Sequence, residues 1–454
     1  MTDVAALLER AVPGRVLAGD AIGEDWGHDE CLTVPACRPA AVVRPTTTAE
    51  VAAVVSLARG HGLALTIRGG ATGLSGGCVP EAGGICLSLD AMGAVLDVDV
   101  PNGVAVVQPG VTLAALDAAV RPHGLQYTVR PGEDSATLGG TVATNAGGMR
   151  AVRHGVTRTN VLGLEAVLGT GEVMRTGGRF VKSTSGYDIT QLLIGSEGTL
   201  GVITEATLRL HPRLGHAATL LAPFDTLEQV TTAVPRIVGS GVGPSVLEYL
   251  DLMSMAAITA NSALGIPDDV RQRALAYLVV VLETRTQAAL DADTEALGEV
   301  LVAAGAVDVY VLPAGAGAAL IAARERAFWT ARAAGADDIV DVAVPRAAIP
   351  AYLARVAEIG TETASLIVGC GHAGDGNVHL SVFQPDEGRR HEVMRAVLRA
   401  GVEHGGVISG EHGIGRAKRV YLAELEDPGR LALMRRIKAA FDPDGVLNPG
   451  VLLP

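Results

Sequence analysis

Apolar and polar residues follow two different repeat lengths in the first ninety residues of the chain. In residues 44–62, RPTTTAEVAAVVSLARGHG, apolar residues recur at helical intervals after Thr47 and Glu50, which have the spacing of a capping box. LALTIR (63–68) and ICLSLD (85–90) are strand-like runs on either side of a glycine-rich loop. The pattern therefore predicts helix, strand, loop and strand. A dinucleotide-binding Rossmann turn would need a helix directly after the glycines, so we do not expect one here.

The pattern changes near residue 216. Before it, residues 164–175 predict a hairpin that turns at Gly169-Thr170-Gly171. After it come longer, alanine-rich amphipathic stretches interrupted by single strands such as AYLVVVLET (276–284), and the tail LMRRIKAAFDPDGVLNPG has a helical period that ends at proline and glycine. This alternation predicts a second domain of the α+β class.

Composition narrows the kind of protein. Apolar residues make up 48% of the 454 residues, and 36 Lys and Arg against 49 Asp and Glu give a net charge of −13 without charge blocks, so we expect no nucleic-acid partner. The most membrane-like stretch, residues 309–323, is interrupted by Pro313 and is shorter than the ~20 residues that span a bilayer. The N-terminal residues lack a basic start before an apolar run. We expect a cytoplasmic protein without a transmembrane segment, either free or peripheral to a membrane.

The cysteines indicate no metal or disulfide framework. Their number is odd and none form a CxxC pair, which is typical of reduced thiols and of small core residues. They are Cys31, Cys37, Cys78, Cys86 and Cys370.

Three glycine-rich runs fall within the first half of the chain. They are RGGATGLSGG (68–77), PGEDSATLGGTVATNAGG (131–148) and GSEGTLGVITEA (195–206). Glycine leaves backbone N–H groups unshielded, as the cradle of a pyrophosphate requires. One such run is as readily a surface loop, but three in one domain favour a cofactor site.

Histidine and glutamate occur in two further glycine-rich segments, GCGHAGDGNVHLSVF (369–383) and SGEHGIG (409–415). His372 and His379 are seven residues apart, so an unbroken strand would place them on opposite faces. The turn dipeptide Asp375-Gly376 lets the chain fold back and bring them together. With Glu411 they would form a three-ligand site for zinc or a similar ion. Alternatively, each histidine satisfies a local backbone hydrogen bond.

These motifs resemble flavoproteins of the vanillyl-alcohol-oxidase type, and more narrowly the branch of the glycolate oxidase D-subunit, D-lactate dehydrogenase and D-2-hydroxyglutarate dehydrogenase. The resemblance runs from about residue 38 to the end of the chain. It implies a two-lobed FAD-binding domain with a pyrophosphate loop, an α+β cap domain with an antiparallel sheet, and a C-terminal helical segment. We expect an N-terminal segment (1–37), the FAD-binding domain (38–215), the cap domain with substrate and metal sites (216–409), and a C-terminal segment (410–454) that completes the active site.

The resemblance also implies a set of FAD contacts in the glycine-rich runs and in residues 153–172. They are Gly69, Gly70, Thr72, Gly73, Pro131, Thr137, Gly140, Asn145, Gly148, Gly155 and Ile203. Ala71 and Thr72 stand where some relatives carry a histidine bound to FAD. We therefore expect FAD to be held noncovalently.

The remaining site residues are implied in the same way. His372, His379 and Glu411 would hold a divalent metal, zinc before manganese or iron, and His412 would be the catalytic base. An orienting role toward Glu411 is the alternative for His412. Arg324 matches the arginine that engages the substrate carboxylate, and Arg326 competes for that role.

The resemblance predicts oxidation of a small D-2-hydroxy acid, such as glycolate or D-lactate, to the 2-oxo acid. D-2-hydroxyglutarate dehydrogenase is the alternative, but this chain has Phe328, DDIVD (337–341) and Ser381 where that branch has threonine, a lysine region and asparagine. A second substrate carboxylate would meet a phenyl ring and Asp338 or Asp341, so we expect a monocarboxylate such as glycolate, D-lactate or a longer apolar 2-hydroxy acid.

Two functions of other classes remain open from the sequence. One is a zinc metallohydrolase with structural glycine runs, and the other is a flavin-binding subunit without turnover of its own. The sequence identifies neither the electron acceptor nor the oligomeric state, for which a homodimer is one option.

Overall fold

Two small sheets and the helices around them form the first half of the chain. The structure is a computed structural model that describes residues 4–259 and 266–453. The strands are β1 (Val16–Ala18), β2 (Ala41–Val43), β3 (Leu65–Arg68), β4 (Ile85–Ser88), β5 (Val95–Asp99), β6 (Val104–Val107), β7 (Leu125–Gln126), β8 (Val161–Leu168), β9 (Val173–Gly177), β10 (Gly201–Arg209) and β11 (His211–Pro212). The helices are α1 (Val4–Ala11), α2 (Thr48–His61), α3 (Leu113–Val120), α4 (Leu138–Thr144), α5 (Ala151–His154), α6 (Thr157–Asn160) and α7 (Ile189–Leu193).

The local predictions for this half are confirmed. Helix α2 begins after Thr47, whose side chain accepts a hydrogen bond from the Glu50 backbone N–H, and it ends at Gly62 in the left-handed conformation. Strands β3 and β4 flank the glycine-rich loop, and β8 and β9 form the predicted hairpin. The first sheet has the order β1-β2-β4-β3, with β4 parallel to both β2 and β3, and the second has the antiparallel order β5-β6-β10-β8-β9.

Both ends of the described chain pack against the sheets of the first half. Strand β1 pairs with β2, and Leu8 lies in the same core as α2. Residues 1–3 lie outside the described part. At the other end, Leu447 bridges to Leu65 of β3, and Phe441 packs against the core of the second sheet. Long-range pairing of this kind leaves no local trace in a sequence.

One seven-stranded antiparallel sheet organises the cap domain, in the order β15-β12-β14-β13-β17-β18-β16. Its strands are β12 (His216–Phe224), β13 (Val246–Asp251), β14 (Ala276–Thr284), β15 (Tyr310–Leu312), β16 (Asp338–Ala343), β17 (Leu366–His372) and β18 (Asn377–Phe383). The helices that follow α7 are α8 (Leu227–Gly239), α9 (Leu252–Thr259), α10 (Asp268–Arg273), α11 (Gln287–Ala303), α12 (Ala314–Glu325), α13 (Ala327–Ala333), α14 (Ile349–Glu362), α15 (Glu387–Glu403), α16 (Arg419–Leu425) and α17 (Pro428–Phe441). The α+β class and the strand predicted at 276–284 are confirmed.

The two faces of the cap sheet have different roles. Helices α8, α11, α14 and α15 bury one face in the largest core of the protein. The other face packs on α9 and α12 through residues such as Leu250 and Cys370. The strand register places Asp341, His379, Cys370 and Leu250 in one row across this second face. Because paired residues point to the same side of a sheet, this row brings polar groups to the face that carries the candidate site.

Ion pairing ties the cap to the FAD-binding domain. Arg150 next to α5 pairs with Glu283 of β14 through two hydrogen bonds of 2.7 and 3.0 Å. Arg153 donates a further bond of 2.9 Å to the Glu283 carbonyl. In the described ranges, no helix combines the length and apolar character needed to cross a membrane.

Candidate active site

His372 and His379 meet because the chain folds back between them, as predicted. A single 3₁₀ turn at 373–375 and Gly376, with φ of 82°, join β17 to β18. The two imidazole rings are 4.8 Å apart, and their Nε2 atoms lie 3.0 and 3.2 Å from the same oxygen of Glu411. The three expected metal ligands are therefore in one place.

Two buried carboxylates face the opposite sides of these imidazoles. His372 Nδ1 lies 2.7 Å from Glu248 on β13, and His379 Nδ1 lies 3.6 Å from Asp341 on β16. Both carboxylate side chains are fully buried. Metal-binding histidines commonly have such a carboxylate on the second nitrogen, which fixes the ring and leaves Nε2 for the metal.

Asp341 also holds the segment that carries Glu411 and His412. Its Oδ2 accepts hydrogen bonds of 2.8 to 3.0 Å from the Ser409 hydroxyl and from the backbone N–H groups of Gly410, Glu411 and His412. Burial raises the pKa of this carboxyl, but the neighbouring His412, Lys418 and His379 outweigh it and hold the pKa well below its usual range. Asp341 is therefore a charged anchor beneath the site.

The electrostatics of the cluster favour a cation. Burial alone lowers the pKa of His372, but the carboxylates of Glu248 and Glu411 raise it to about 10. Burial raises the pKa of Glu411, whereas His372 and His379 lower it well below its usual value. Two carboxylates thus retain a proton on the imidazole between them, and a metal ion can replace that proton.

The residues present fit a divalent metal. Two imidazole nitrogens and one carboxylate form the donor set of open zinc sites. Separations of 3.0 and 3.2 Å between the donors suit ligands of one ion with bonds of about 2.0 to 2.2 Å. Asp341, His379 and His412 form a second close group of potential ligands. Asp341 Oδ2 already accepts four hydrogen bonds, and Oδ1 lies on the Nδ1 side of His379, away from Glu411, so the group with Glu411 is the better candidate.

His412 stands beside His372, His379 and Glu411, which we call the ligand group. It stacks on His379 at 5.0 Å, and no described residue is a hydrogen-bond partner of its buried Nδ1. Burial lowers the pKa of His412 to about 4, and the positive charge on neighbouring His379 and Lys418 contributes, while Asp341 opposes this shift. The imidazole is neutral and able to accept a proton.

Arg324 is buried at the same site, and Arg326 is exposed to solvent. Arg324 Nη2 lies 2.8 Å from Glu248 Oε2, an ion pair by distance. The angles do not make it a hydrogen bond, and Nε and Nη2 have no hydrogen-bond partner among the described residues. These two donors form the fork that binds a carboxylate in a bidentate manner.

Two clefts meet at His412. The first, which we call the FAD cleft, lies between the glycine-rich runs and includes Gly69, Gly73, Gly140 and Ile203 of the expected FAD contacts. The second, which we call the cap cleft, contains the ligand group and Arg324. His412 lines both clefts.

The other expected FAD contacts are placed more widely. Pro131 and Gly148 line the cap cleft, and Thr137 accepts a hydrogen bond from the Gly70 N–H. Asn145 ends α4 and accepts a hydrogen bond from the Arg158 N–H. Neither cleft is lined by Thr72 or Gly155.

The FAD-binding domain approaches the ligand group closely. A Cβ on Gly147, next to the expected contact Gly148, would lie 2.4 Å from Glu411 Oε2. The half-buried Glu197 carboxylate accepts hydrogen bonds from the N–H groups of Ile414 and Gly415, which joins the third glycine-rich run to the segment after Glu411. The glycines thus allow two domains to contribute to one site.

Sequence reasoning did not assign four acidic residues that support the site, and it considered one of them, Asp341, only as a neighbour of a second substrate carboxylate. They are Asp29, Glu197, Glu248 and Asp341. The available signal for Glu248 and Asp341 was that each is an acidic residue flanked by apolar residues, in the strands VLEYLD and DIVDVA. Asp338, considered beside Asp341, interacts with Lys418, Arg390 and His391 and does not line the cap cleft.

Two family matches cover most of the chain. Residues 39–177 match the family described as FAD binding domain. Residues 214–452 match the family described as FAD linked oxidases, C-terminal domain.

Curated relatives extend over nearly the full chain. An uncharacterized FAD-linked oxidoreductase of Mycobacterium tuberculosis is 54% identical over 96% of both chains. A D-lactate dehydrogenase of Anaerostipes hadrus is 38% identical, over 96% of this chain and 94% of its own. A D-2-hydroxyglutarate dehydrogenase of Xanthomonas citri pv. viticola is 35% identical, over 100% of this chain and 97% of its own.

A solved structure shares the fold. That of p-cresol methylhydroxylase with substrate bound has a TM-score of 0.82 at 17% identity, and covers 98% of this chain and 95% of its own.

The FAD cleft generates a prediction at Gly73. A Cβ there meets only Asp29 Oδ2, at 3.8 Å, so the protein itself can accommodate Gly73→Val. We expect this variant to fold normally but to retain less FAD, because the side chain would occupy the cofactor's space. FAD absorbance per protein after gel filtration measures it. Gly93→Val is the control, since Gly93 has a similar free environment outside both clefts. Normal FAD content in Gly73→Val would exclude this loop from the cofactor site.

Proposed function

The chain belongs to the family of FAD-linked oxidases, and we propose that it oxidises small D-2-hydroxy monocarboxylates to 2-oxo acids with FAD and a divalent cation. The relatives named D-lactate dehydrogenase and D-2-hydroxyglutarate dehydrogenase support the reaction class. The observation that carries the proposal is the meeting of three kinds of group at the junction of the two clefts. These groups are the ligand set His372, His379 and Glu411, the neutral His412, and the buried Arg324, whose Nε and Nη2 have no hydrogen-bond partner among the described residues.

Each group has a task in oxidising a hydroxy acid. Arg324 binds the substrate carboxylate through Nε and Nη2, and His412 accepts the proton of the hydroxyl group. When bound, FAD accepts the two electrons and the α-hydrogen as hydride, and the divalent cation lowers the pKa of the hydroxyl. Glu248 and Asp341 keep the two ligand imidazoles oriented.

The ligand set favours zinc over manganese. Imidazole and carboxylate ligands of mixed type suit zinc, whereas manganese favours an all-oxygen set. Three protein ligands also leave a coordination position for the substrate.

The other two functional classes are less well supported. A metallohydrolase needs no FAD-binding domain, yet residues 39–177 match one. A flavin-binding subunit without turnover needs neither a base nor a carboxylate anchor, yet His412 and Arg324 both line the cap cleft beside the ligand group.

A monocarboxylate fits the cap cleft better than a dicarboxylate. Phe328 and Ser381 both line the cleft. Arg324 offers one bidentate fork, and Arg130, the other arginine in the described lining, is paired with Asp117 at 2.8 Å and with Asp134 at 3.4 Å. A second substrate carboxylate would therefore lose water without gaining a free cation.

His412→Ala tests the base. We expect the rate of flavin reduction to fall by roughly 10²-fold or more, with a smaller effect on substrate affinity, because only the proton acceptor is lost. Anaerobic stopped-flow absorbance measures both quantities, and metal analysis of the same sample shows whether the ligand group is intact. His61→Ala, at an exposed histidine, is the control. If metal-saturated His412→Ala reduces flavin at the normal rate, His412 only orients Glu411.

Substrate selection tests whether Arg324 is the one carboxylate anchor in the cap cleft. We expect kcat/KM for D-lactate to exceed that for D-2-hydroxyglutarate by at least ~10-fold, since desolvation of an unpaired carboxylate costs several kcal/mol. Steady-state assays with an artificial dye acceptor measure both values side by side. A clear preference for the diacid would mean that another residue supplies a positive charge.

A further inference from the structure

The row of Asp341, His379, Cys370 and Leu250, which we call the ligand row, borders an apolar surface of the cap sheet. Along β18, His379 is followed on the same face by Ser381 and Phe383, and along β17 the same face runs from His372 through Cys370 and Val368 to Leu366. Ile339 of β16 pairs with Ser381, which pairs with Val368, and Leu366 pairs with Phe383. These residues form two further rows beside the ligand row, and all line the cap cleft.

The length of this surface exceeds what the smallest hydroxy acids can contact. Two residues along a strand advance roughly 6.6 Å, so the second row lies about 7 Å and the third about 13 Å from the ligand row. The methyl group of D-lactate, with its hydroxyl at the ligand group, reaches neither row. A side chain of several carbons reaches the second.

The surface is apolar and incompletely covered. Leu366 is 49% exposed, and Met253 of α9, which lines the same cleft, is 56% exposed. Within the rows themselves Ser381 is the polar side chain among the described residues, and elsewhere the cleft is lined by the hydroxyl groups of Ser254 and Thr330 and by the charged Arg130 and Glu325. Clefts that bind apolar ligands combine such a wall with a few polar groups at one end.

We propose that the preferred substrate carries an apolar side chain longer than methyl, which packs on the rows formed by Ile339, Val368, Leu366 and Phe383. This inference rests on the proposed function and specifies its substrate. The carboxylate binds at Arg324, the hydroxyl group lies at the ligand group, and the side chain extends along β17 and β18 away from His372 and His379. The expected FAD contacts that line this cleft, Pro131 and Gly148, belong to the other domain.

A chain-length series on the holoenzyme tests the proposal. We expect the second-order rate constant of anaerobic flavin reduction to rise about fourfold per methylene from D-lactate through D-2-hydroxybutyrate to D-2-hydroxyhexanoate, as for burial of one CH₂ group. Straight-chain fatty acids without the hydroxyl provide a readout apart from turnover. Their dissociation constants, from changes in the absorbance of oxidised flavin, should fall by a similar factor per methylene.

Two valine variants test whether the substrate side chain packs at Val368. Val368→Thr replaces a methyl group in the second row with a hydroxyl, and should reduce the preference for D-2-hydroxyhexanoate over D-lactate about fourfold or more. Val311→Thr is the matched control, because Val311 is 56% exposed on β15 of the same sheet and does not line the cap cleft. It should leave the preference unchanged.

The outcomes separate this inference from the proposed function. Rates that are flat or fall with chain length, with D-lactate or glycolate as the best substrate, would overturn the apolar side-chain site and leave the proposed function standing. Fatty acids that bind more tightly with length, without flavin reduction by any D-2-hydroxy acid, would overturn the proposed function and support the apolar site. Equal preferences in Val368→Thr and the wild-type enzyme would also contradict the placement on β17.

Discussion

The buried carboxylate of Asp341 connects the parts of the site that must act together. It lies on β16, contacts His379 on β18, and accepts hydrogen bonds from the segment that carries Glu411 and His412. Burying a carboxylate is costly unless hydrogen bonds and opposite charges replace water, and four donors with nearby cationic groups do so here. The same interaction therefore fixes one ligand histidine, the ligand glutamate and the candidate base relative to one sheet.

This arrangement explains why glycine surrounds the chemical groups. A Cβ on Gly410 would lie 2.6 Å from the Asn377 side chain, and Gly413 has a φ of 82°. Gly147 has no room for a side chain beside Glu411. The glycines in the C-terminal segment let the backbone turn over Asp341, and those in the FAD-binding domain let that domain approach. The site therefore depends on glycine positions where the backbone lies directly against a side chain such as Glu411 or Asn377.

Local signals in the sequence predicted the local structure and the principal side chains of the site. The cap at Thr47 and the fold-back at Asp375-Gly376 depend on neighbouring residues, so they were readable. The sequence pattern also offered His372, His379 and Glu411 as ligands, the resemblance added Arg324, and the structure brings all four together. Glu248 could not be assigned, because its role depends on a strand more than a hundred residues from His372. The packing of the N-terminal segment on the FAD-binding domain was hidden for the same reason.

We propose that His372, His379 and Glu411 hold a divalent cation beside a separately bound FAD. Metal and flavin content measured in the same sample, for wild-type protein and His372→Ala, tests it most directly. We expect about one divalent metal per wild-type chain. We expect His372→Ala to retain FAD but to lose both the metal and hydroxy-acid oxidation. Full turnover by metal-free, FAD-loaded protein would contradict it.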